Sequence, residues 1–229
     1  MSLNSVPVVT IDGPSGSGKG TISREVARQL GWHLLDSGAL YRLVALAGLR
    51  RGLQTDDSSG HAQIARVMDV HFGTTAMGEE RILLSGEDVS AEVRSETAGQ
   101  GASRVAAWPA VRNALLDRQR RFAEAPGLIA DGRDMGTVIF PHAKLKIYLT
   151  ASAAERASRR YKQLKDKGFA ASLPALSREI AERDQRDSSR EVAPLRPADD
   201  AIELDSTGLG IEAVIARVLA LGRERQLWR

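Results

Sequence analysis

The first regular pattern along the chain is an apolar run over residues 6–12, VPVVTID, followed by the polar, glycine-rich GPSGSGKGT. Beyond it comes ISREVARQL, in which Ile22, Val26 and Leu30 recur every four positions with Arg24, Glu25, Arg28 and Gln29 between them. The pattern predicts a buried strand, a loop over 13–21, and an amphipathic helix stopped at Gly31. A short strand at Leu34 and Leu35 follows, then a turn at Asp36-Ser37-Gly38 and a helix with Leu40, Leu43, Val44 and Ala47 on one face; Ser37 is placed to cap it. Residues 54–60 read as loop and 62–69 as a short helix. Over 70–90, short β-prone runs separated by glycine-containing turns, one around Gly78, predict a small antiparallel sheet.

The helical period returns from Ser103, with Val111, Leu115 and Phe122 as the apolar stripe and Pro126-Gly127 as the stop. Strands are predicted over 128–130, 144–149 and 201–204, and helices over 152–167, from Leu173 to about 189, and at the end, where Ile211, Val214, Ile215 and Val218 share a face. Pro194 and Pro197 break the chain before the last strand. Strands alternating with helices predict an α/β fold with a parallel, doubly wound sheet, into which 70–90 is inserted. In such sheets ligands bind beyond the carboxyl ends of the strands, where GPSGSGKGT, DSGALYR and DGRD all fall.

Gly13, Gly16, Gly18 and Gly20 let 13–21 turn tightly and aim backbone N–H groups inward, while the following helix adds the positive end of its dipole. Phosphate is the natural occupant, and Lys19 supplies the point charge for the outer phosphates of a nucleoside triphosphate. Gly20 stands where a Ser or Thr usually follows the lysine, with Thr21 one place later; this version of the loop resembles that of nucleoside monophosphate kinases.

At 229 residues the chain suits one well-buried domain with insertions. Its 32 basic against 29 acidic residues leave a net charge of only +3, so the pI near 9.4 does not demand nucleic acid, and 4% aromatic residues supply no stacking platform. With no cysteine there is no disulfide framework, thiol nucleophile or thiolate zinc site. His33, His61, His71 and His142 lack metal-ligand spacing and read as surface or packing residues. No basic leader or membrane-length apolar stretch is present, so a soluble, cytoplasmic protein is expected.

DSGALYR places Ser37 and Arg42 near one sheet end, where, taken alone, it reads as a helix cap and a solvated arginine. DGRDMG puts Asp131, Arg133 and Asp134 where a buried strand emerges, and charges there need partners or a ligand. Arg183, Asp187 and Arg190 fall on one predicted helical face, either as solvated ion pairs or as a site. Arg156, Arg159 and Arg160 share another face, either a wet basic helix or a lid over triphosphate oxygens.

Together, GPSGSGKGT, DSGALYR, the β insert, DGRDMGTVIFP and ERDQRD resemble the bacterial cytidylate kinases over almost the whole chain. The resemblance implies a P-loop kinase core over about 5–36, 104–151 and 190–229, a monophosphate-binding insert over about 37–103, and a short helical lid with its following helix over about 152–189, in a single domain. It implies ATP bound by Gly13, Pro14, Ser15, Gly16, Ser17, Gly18, Lys19, Gly20 and Thr21, with Arg156, Arg159 and Arg160 from the lid. It implies CMP or dCMP held by Ser37, Arg42, Ser103, Arg112, Arg133, Asp134, Arg183, Asp187 and Arg190, and transfer assisted by Lys19, Arg133 and Arg190. Mg²⁺ is expected with ATP, contacted by Thr21 directly or through water, and a monomer without nucleic-acid or membrane partners is expected. Another small P-loop kinase, acting on UMP/CMP or shikimate-like acceptors, and a nucleotide-dependent binding switch are the alternatives.

Overall fold

The computed structural model describes residues 6–75, 80–166, 168 and 170–228. In chain order the elements are β1 (Val8–Asp12), α1 (Lys19–Leu30), β2 (His33–Asp36), α2 (Ser37–Arg50), α3 (Ser58–Val67), β3 (Val70–Thr74), β4 (Glu80–Leu84) and β5 (Glu87–Asp88). There follow α4 (Ser90–Val93), α5 (Glu96–Val105), α6 (Pro109–Arg120), β6 (Leu128–Gly132), a one-turn helix (Met135–Ile139), β7 (Leu145–Thr150), α7 (Ala153–Asp166), α8 (Leu173–Ser188), β8 (Ile202–Asp205) and α9 (Ile211–Glu224). They cluster into two compact units, one of residues 1–36 and 120–229 and the other of residues 37–119.

The first unit holds a five-stranded parallel sheet in the order β2-β6-β1-β7-β8. β1 lies between β6 and β7, and all five of its residues are buried, which is why its sequence is a continuous apolar run rather than an alternating one. Val9, Ile11, Ile129, Leu145, Ile147 and Leu149 of the central strands pack against Ile22 and Val26 of α1 and Val214, Ile215 and Val218 of α9. β8 closes one edge with only half-buried and exposed residues. The chain leaves β1 toward β2 on one side and later crosses from β6 to β7 on the other, so the direction of winding reverses beside β1.

The second unit carries the antiparallel sheet β3-β4-β5, as the 70–90 pattern predicts; the turn around Gly78 lies outside the described residues. Residues 104–119 pack with this unit. The helix predicted from Ser103 is two helices, α5 and α6. Pro109, the first residue of α6, has no N–H to continue a helical ladder but is well suited to start one. α3 starts at Ser58, earlier than the predicted 62, because the Asp57 side chain accepts a hydrogen bond from Gly60 N at 2.8 Å.

Among the described residues, no helix is long and apolar enough to cross a membrane. One close packing detail anchors the end of the chain. Trp228 meets Trp32 edge to face with centroids 5.3 Å apart, and a Cβ on Gly222 of α9 would lie 1.8 Å from the Trp228 ring. Gly222→Ala raises helix propensity by about 1 kcal/mol, yet it must displace this ring. The net expected outcome is a loss of about 1–3 kcal/mol, read as a lower midpoint of thermal unfolding together with a shift in tryptophan fluorescence; a raised midpoint contradicts the packing role.

Candidate active site

The phosphate loop leaves β1 at Gly13. A Cβ there would lie 2.0 Å from Leu149 O of β7, and φ is +153°, so only glycine lets the chain turn this close to the neighbouring strand. The loop delivers Lys19 as the first residue of α1, after Gly18 in the left-handed region. Lys19 is buried, and its Nζ donates to Pro14 O at 3.1 Å. Burial, with Arg133 next and Arg183 further out, lowers its pKa to about 7, while Asp131 and Asp187 work in the opposite direction.

Gly20 accounts for the departure from the usual lysine-serine or lysine-threonine pair. A Cβ at this position would lie 3.2 Å from Asp131 Oδ2, so the carboxylate that ends β6 occupies space beside the backbone of α1's first turn. Thr21 is exposed on that turn. Together, the hydroxyl and the carboxylate are hard oxygen donors of the kind Mg²⁺ takes. Among the described residues, no group of three or more acidic, histidine or cysteine side chains is arranged to hold a metal ion.

β6 is longer than the predicted 128–130 and continues through Asp131 and Gly132, paired with Ile11 and Asp12. Arg133 and Asp134 then lead into the turn Met135–Ile139. Its bonds run from Ile139 N to Asp134 O at 3.2 Å and from Phe140 N to Met135 O at 2.7 Å, a wide helical turn of the kind found often at functional sites. Arg133 Nε donates to Asp187 Oδ2 at 3.0 Å, and Arg190 pairs with Asp187 Oδ1 at 2.8 Å. Burial favours a neutral Asp187, but Arg133, Arg190 and Arg183 outweigh it and hold its pKa below the usual carboxylate value. Burial likewise opposes the charge of Arg133, and Asp187, Asp131 and Asp12 outweigh that and raise its pKa.

The structure thus brings Lys19, Arg133, Arg183, Asp187 and Arg190 into one electrostatic cluster in the first unit. The single helical face expected for Arg183, Asp187 and Arg190 is corrected: α8 ends at Ser188, with Ser189 as its cap, so Arg190 lies beyond the helix and reaches Asp187 from the following segment. Solvated ion pairs do not describe this group, because the Asp187 and Arg190 side chains are only 5% and 6% exposed.

Nor is the α7 arginine face a wet one. Arg156 is buried; it forks onto Asp184 of α8 at 3.1 and 2.6 Å and donates to Ser15 O at 3.1 Å and Ala151 O at 3.0 Å. Arg159 donates to Ser17 O at 3.3 Å and to Ser206 O at 2.6 Å. Two carbonyls of the phosphate loop are therefore held by arginines of α7. Arg160 donates to its helical neighbour Gln163 at 2.7 Å.

In the second unit, Ser37 is the first residue of α2, which begins directly after β2; the expected turn and serine cap are absent because the strand's last residue, Asp36, passes straight into the helix. Arg42 donates to Val93 O and Ser95 O at 3.0 and 2.9 Å. Ser103 of α5 and Arg112 of α6 are buried; Arg112 donates to Ala106 O at 3.3 Å and stands 5.8 Å over the Tyr41 ring.

Sequence reasoning missed two participants. Asp184 carried no local signal as a partner of Arg156, which lies 28 residues away. Asp12, treated as the end of an apolar run, is buried and accepts from Met135 N and Gly136 N at 2.8 Å each; a lone carboxylate ending so apolar a strand was the available clue.

With this geometry in place, a family model described as cytidylate kinase matches residues 9–224. The chain belongs to the cytidylate kinase family. A cytidylate kinase of Pseudomonas syringae pv. tomato is 60% identical over 215 residues, covering 93% of this chain and 94% of its own length. Those of Pseudomonas aeruginosa and Stutzerimonas stutzeri are 58% and 57% identical over 225 and 226 residues, covering 97% and 98% of this chain and 97% and 99% of their own.

Because Lys19 is held near 7 in the open loop, most of it is neutral at pH 8–9, and an arriving phosphate favours its charged form. Binding of ADP in that range is expected to take up close to one proton, read by calorimetry in buffers of differing ionisation enthalpy. Binding without proton uptake would contradict the lowered pKa.

Proposed function

We propose that this chain, a cytidylate kinase by family, transfers the γ-phosphoryl group of ATP to CMP or dCMP, yielding ADP and CDP or dCDP. The observation that carries the reading is the convergence of the phosphate loop after β1 with the charged end of β6 and with α8: Asp131 and Arg133 from the end of β6, and Arg183 and Asp187 from α8, all lie near enough to Lys19 to move its ionisation. The CMP phosphate is already an anionic nucleophile, so the chain needs no strong general base. Its work is alignment and neutralisation of the transferring group.

In this reading the amides of residues 13–21 and Lys19 hold the phosphates of ATP. Arg133 and Arg190, oriented by Asp187, bind the acceptor phosphate and the transferring group. Asp187 and Arg183 take the sugar hydroxyls. Asp134 reads the base: a carboxylate accepts from the cytosine 4-amino group, whereas the uracil O4 would face it as a second acceptor. Ser37, Arg42, Ser103 and Arg112 are assigned to CMP by the family motif. Arg156 and Arg159 brace the loop on its carbonyl side, and with Arg160 they are the lid cations for the triphosphate. Thr21 would hold Mg²⁺, directly or through water, and the metal when bound supplies charge neutralisation at the donor phosphates.

The deciding assay is ADP release with Mg-ATP and CMP, dCMP, UMP, AMP, shikimate or no acceptor at matched concentrations. CMP and dCMP are expected to stimulate turnover far above the rest, with CDP or dCDP appearing; equal ADP release without acceptor would refute the kinase reading. Asp134→Asn is expected to cost about 1–3 kcal/mol in kcat/KM for CMP, roughly 5- to 150-fold, with ATP binding little changed. Equal losses for both nucleotides in a folded variant would remove Asp134 as base reader.

A further inference from the structure

Asp12 has no place in the chemistry above, yet it is built into the site more tightly than most residues that do. It ends β1, one residue before the phosphate loop, and is 5% exposed. Its two oxygens each accept one backbone N–H of the turn after β6: Oδ1 from Met135 and Oδ2 from Gly136, both at 2.8 Å. These are first-turn donors with no partner inside their own helical turn. A carboxylate is the side chain whose two oxygens both accept here; an amide would turn a donor toward one of the N–H groups. The approach is close enough to require glycine, since a Cβ on Gly136 would lie 2.9 Å from Thr10 Oγ1 of the same strand and 3.1 Å from Lys146 Cδ.

We infer that Asp12 is a positioning residue: by clamping the amides of Met135 and Gly136 to the end of β1, it sets Arg133 and Asp134, the acceptor-binding residues of the reading above, relative to Lys19. The inference rests on that reading for what Arg133 and Asp134 bind. Both substrate-binding segments then hang from one strand end, the phosphate loop through the covalent chain and the acceptor turn through two hydrogen bonds. The cost of the arrangement supports a purpose beyond packing. Burial, with Asp134 and Asp131 nearby, pushes the Asp12 carboxyl up to about 7 even though both amides favour its ionised form.

The test compares Asp12→Asn with the unaltered chain by calorimetry, using CMP and ADP separately, at a temperature where circular dichroism shows both proteins folded. The CMP Kd is expected to rise about tenfold while the ADP Kd stays within about twofold, and the effect on CMP is expected to shrink in an Asp134→Asn background, because a residue acting through another is non-additive with it. A purely structural role predicts equal losses for CMP and ADP, and that result, an unchanged CMP affinity, or full additivity overturns the inference. Should Asp12→Asn fail to fold, amide hydrogen exchange in the unaltered chain decides. Met135 and Gly136 exchanging as slowly as the interior of β1 supports the clamp, and exchange at the rate of an open loop overturns it. An unaltered chain that binds ADP but not CMP removes the acceptor reading instead, and the exchange measurement still judges the clamp.

Discussion

Crowding of like charge at one end of a sheet is the constraint on which the rest of the molecule depends. A phosphoryl-transfer site needs several cations within reach of the same oxygens, and burying Lys19, Arg133, Arg183 and Arg190 near one another is unfavourable without compensation. The compensation is a set of carboxylates supplied by elements far apart in the chain: Asp131 from the end of β6, Asp187 from the last turn of α8, and Asp12 from the end of β1. Asp187 holds Arg133 and Arg190, Asp12 holds the turn that follows Arg133, and Asp131 favours the charged forms of Lys19 and Arg133. The depressed pKa of Lys19 reflects its burial first and the repulsion from Arg133 and Arg183 after it.

The same constraint explains features that look unrelated in the sequence. Gly20 lacks a side chain where Asp131 must approach α1. Arg156 and Arg159, on the outer side of the phosphate loop, take up the carbonyls of Ser15 and Ser17. The wide helical turn Met135–Ile139 starts on donors that Asp12 satisfies, and this fixes where Arg133 and Asp134 leave β6. Preorganisation of this kind suits a reaction whose barrier is lowered mainly by alignment and charge neutralisation.

The alternating strands and helices, the glycine loop, the β insert and the charged segments at strand ends are legible in the residue pattern. Periodicity was enough for the elements because burial imposes it: β1 between two neighbours must be apolar throughout, and α1 and α9 must each show one apolar face. It failed at helix boundaries. Pro109 split one predicted helix into two, and the run of helix-like spacing through Arg190 stopped two residues early at Ser188.

Spacing, conformational freedom and charge within short stretches fix the local chemistry: which segments form strands and helices, where phosphate can be received, and which charged residues need partners. Which partner each charge takes is settled by the fold. Arg156 meets Asp184 across 28 positions, Arg133 meets Asp187 across 54, and Asp12 meets Met135 and Gly136 across 123 and 124. The physical reason is that such pairs are chosen by strand order and helix placement rather than by neighbouring residues. A carboxylate at the end of an apolar strand therefore reads as an anomaly in the sequence and becomes a clamp only when β6 lies beside β1.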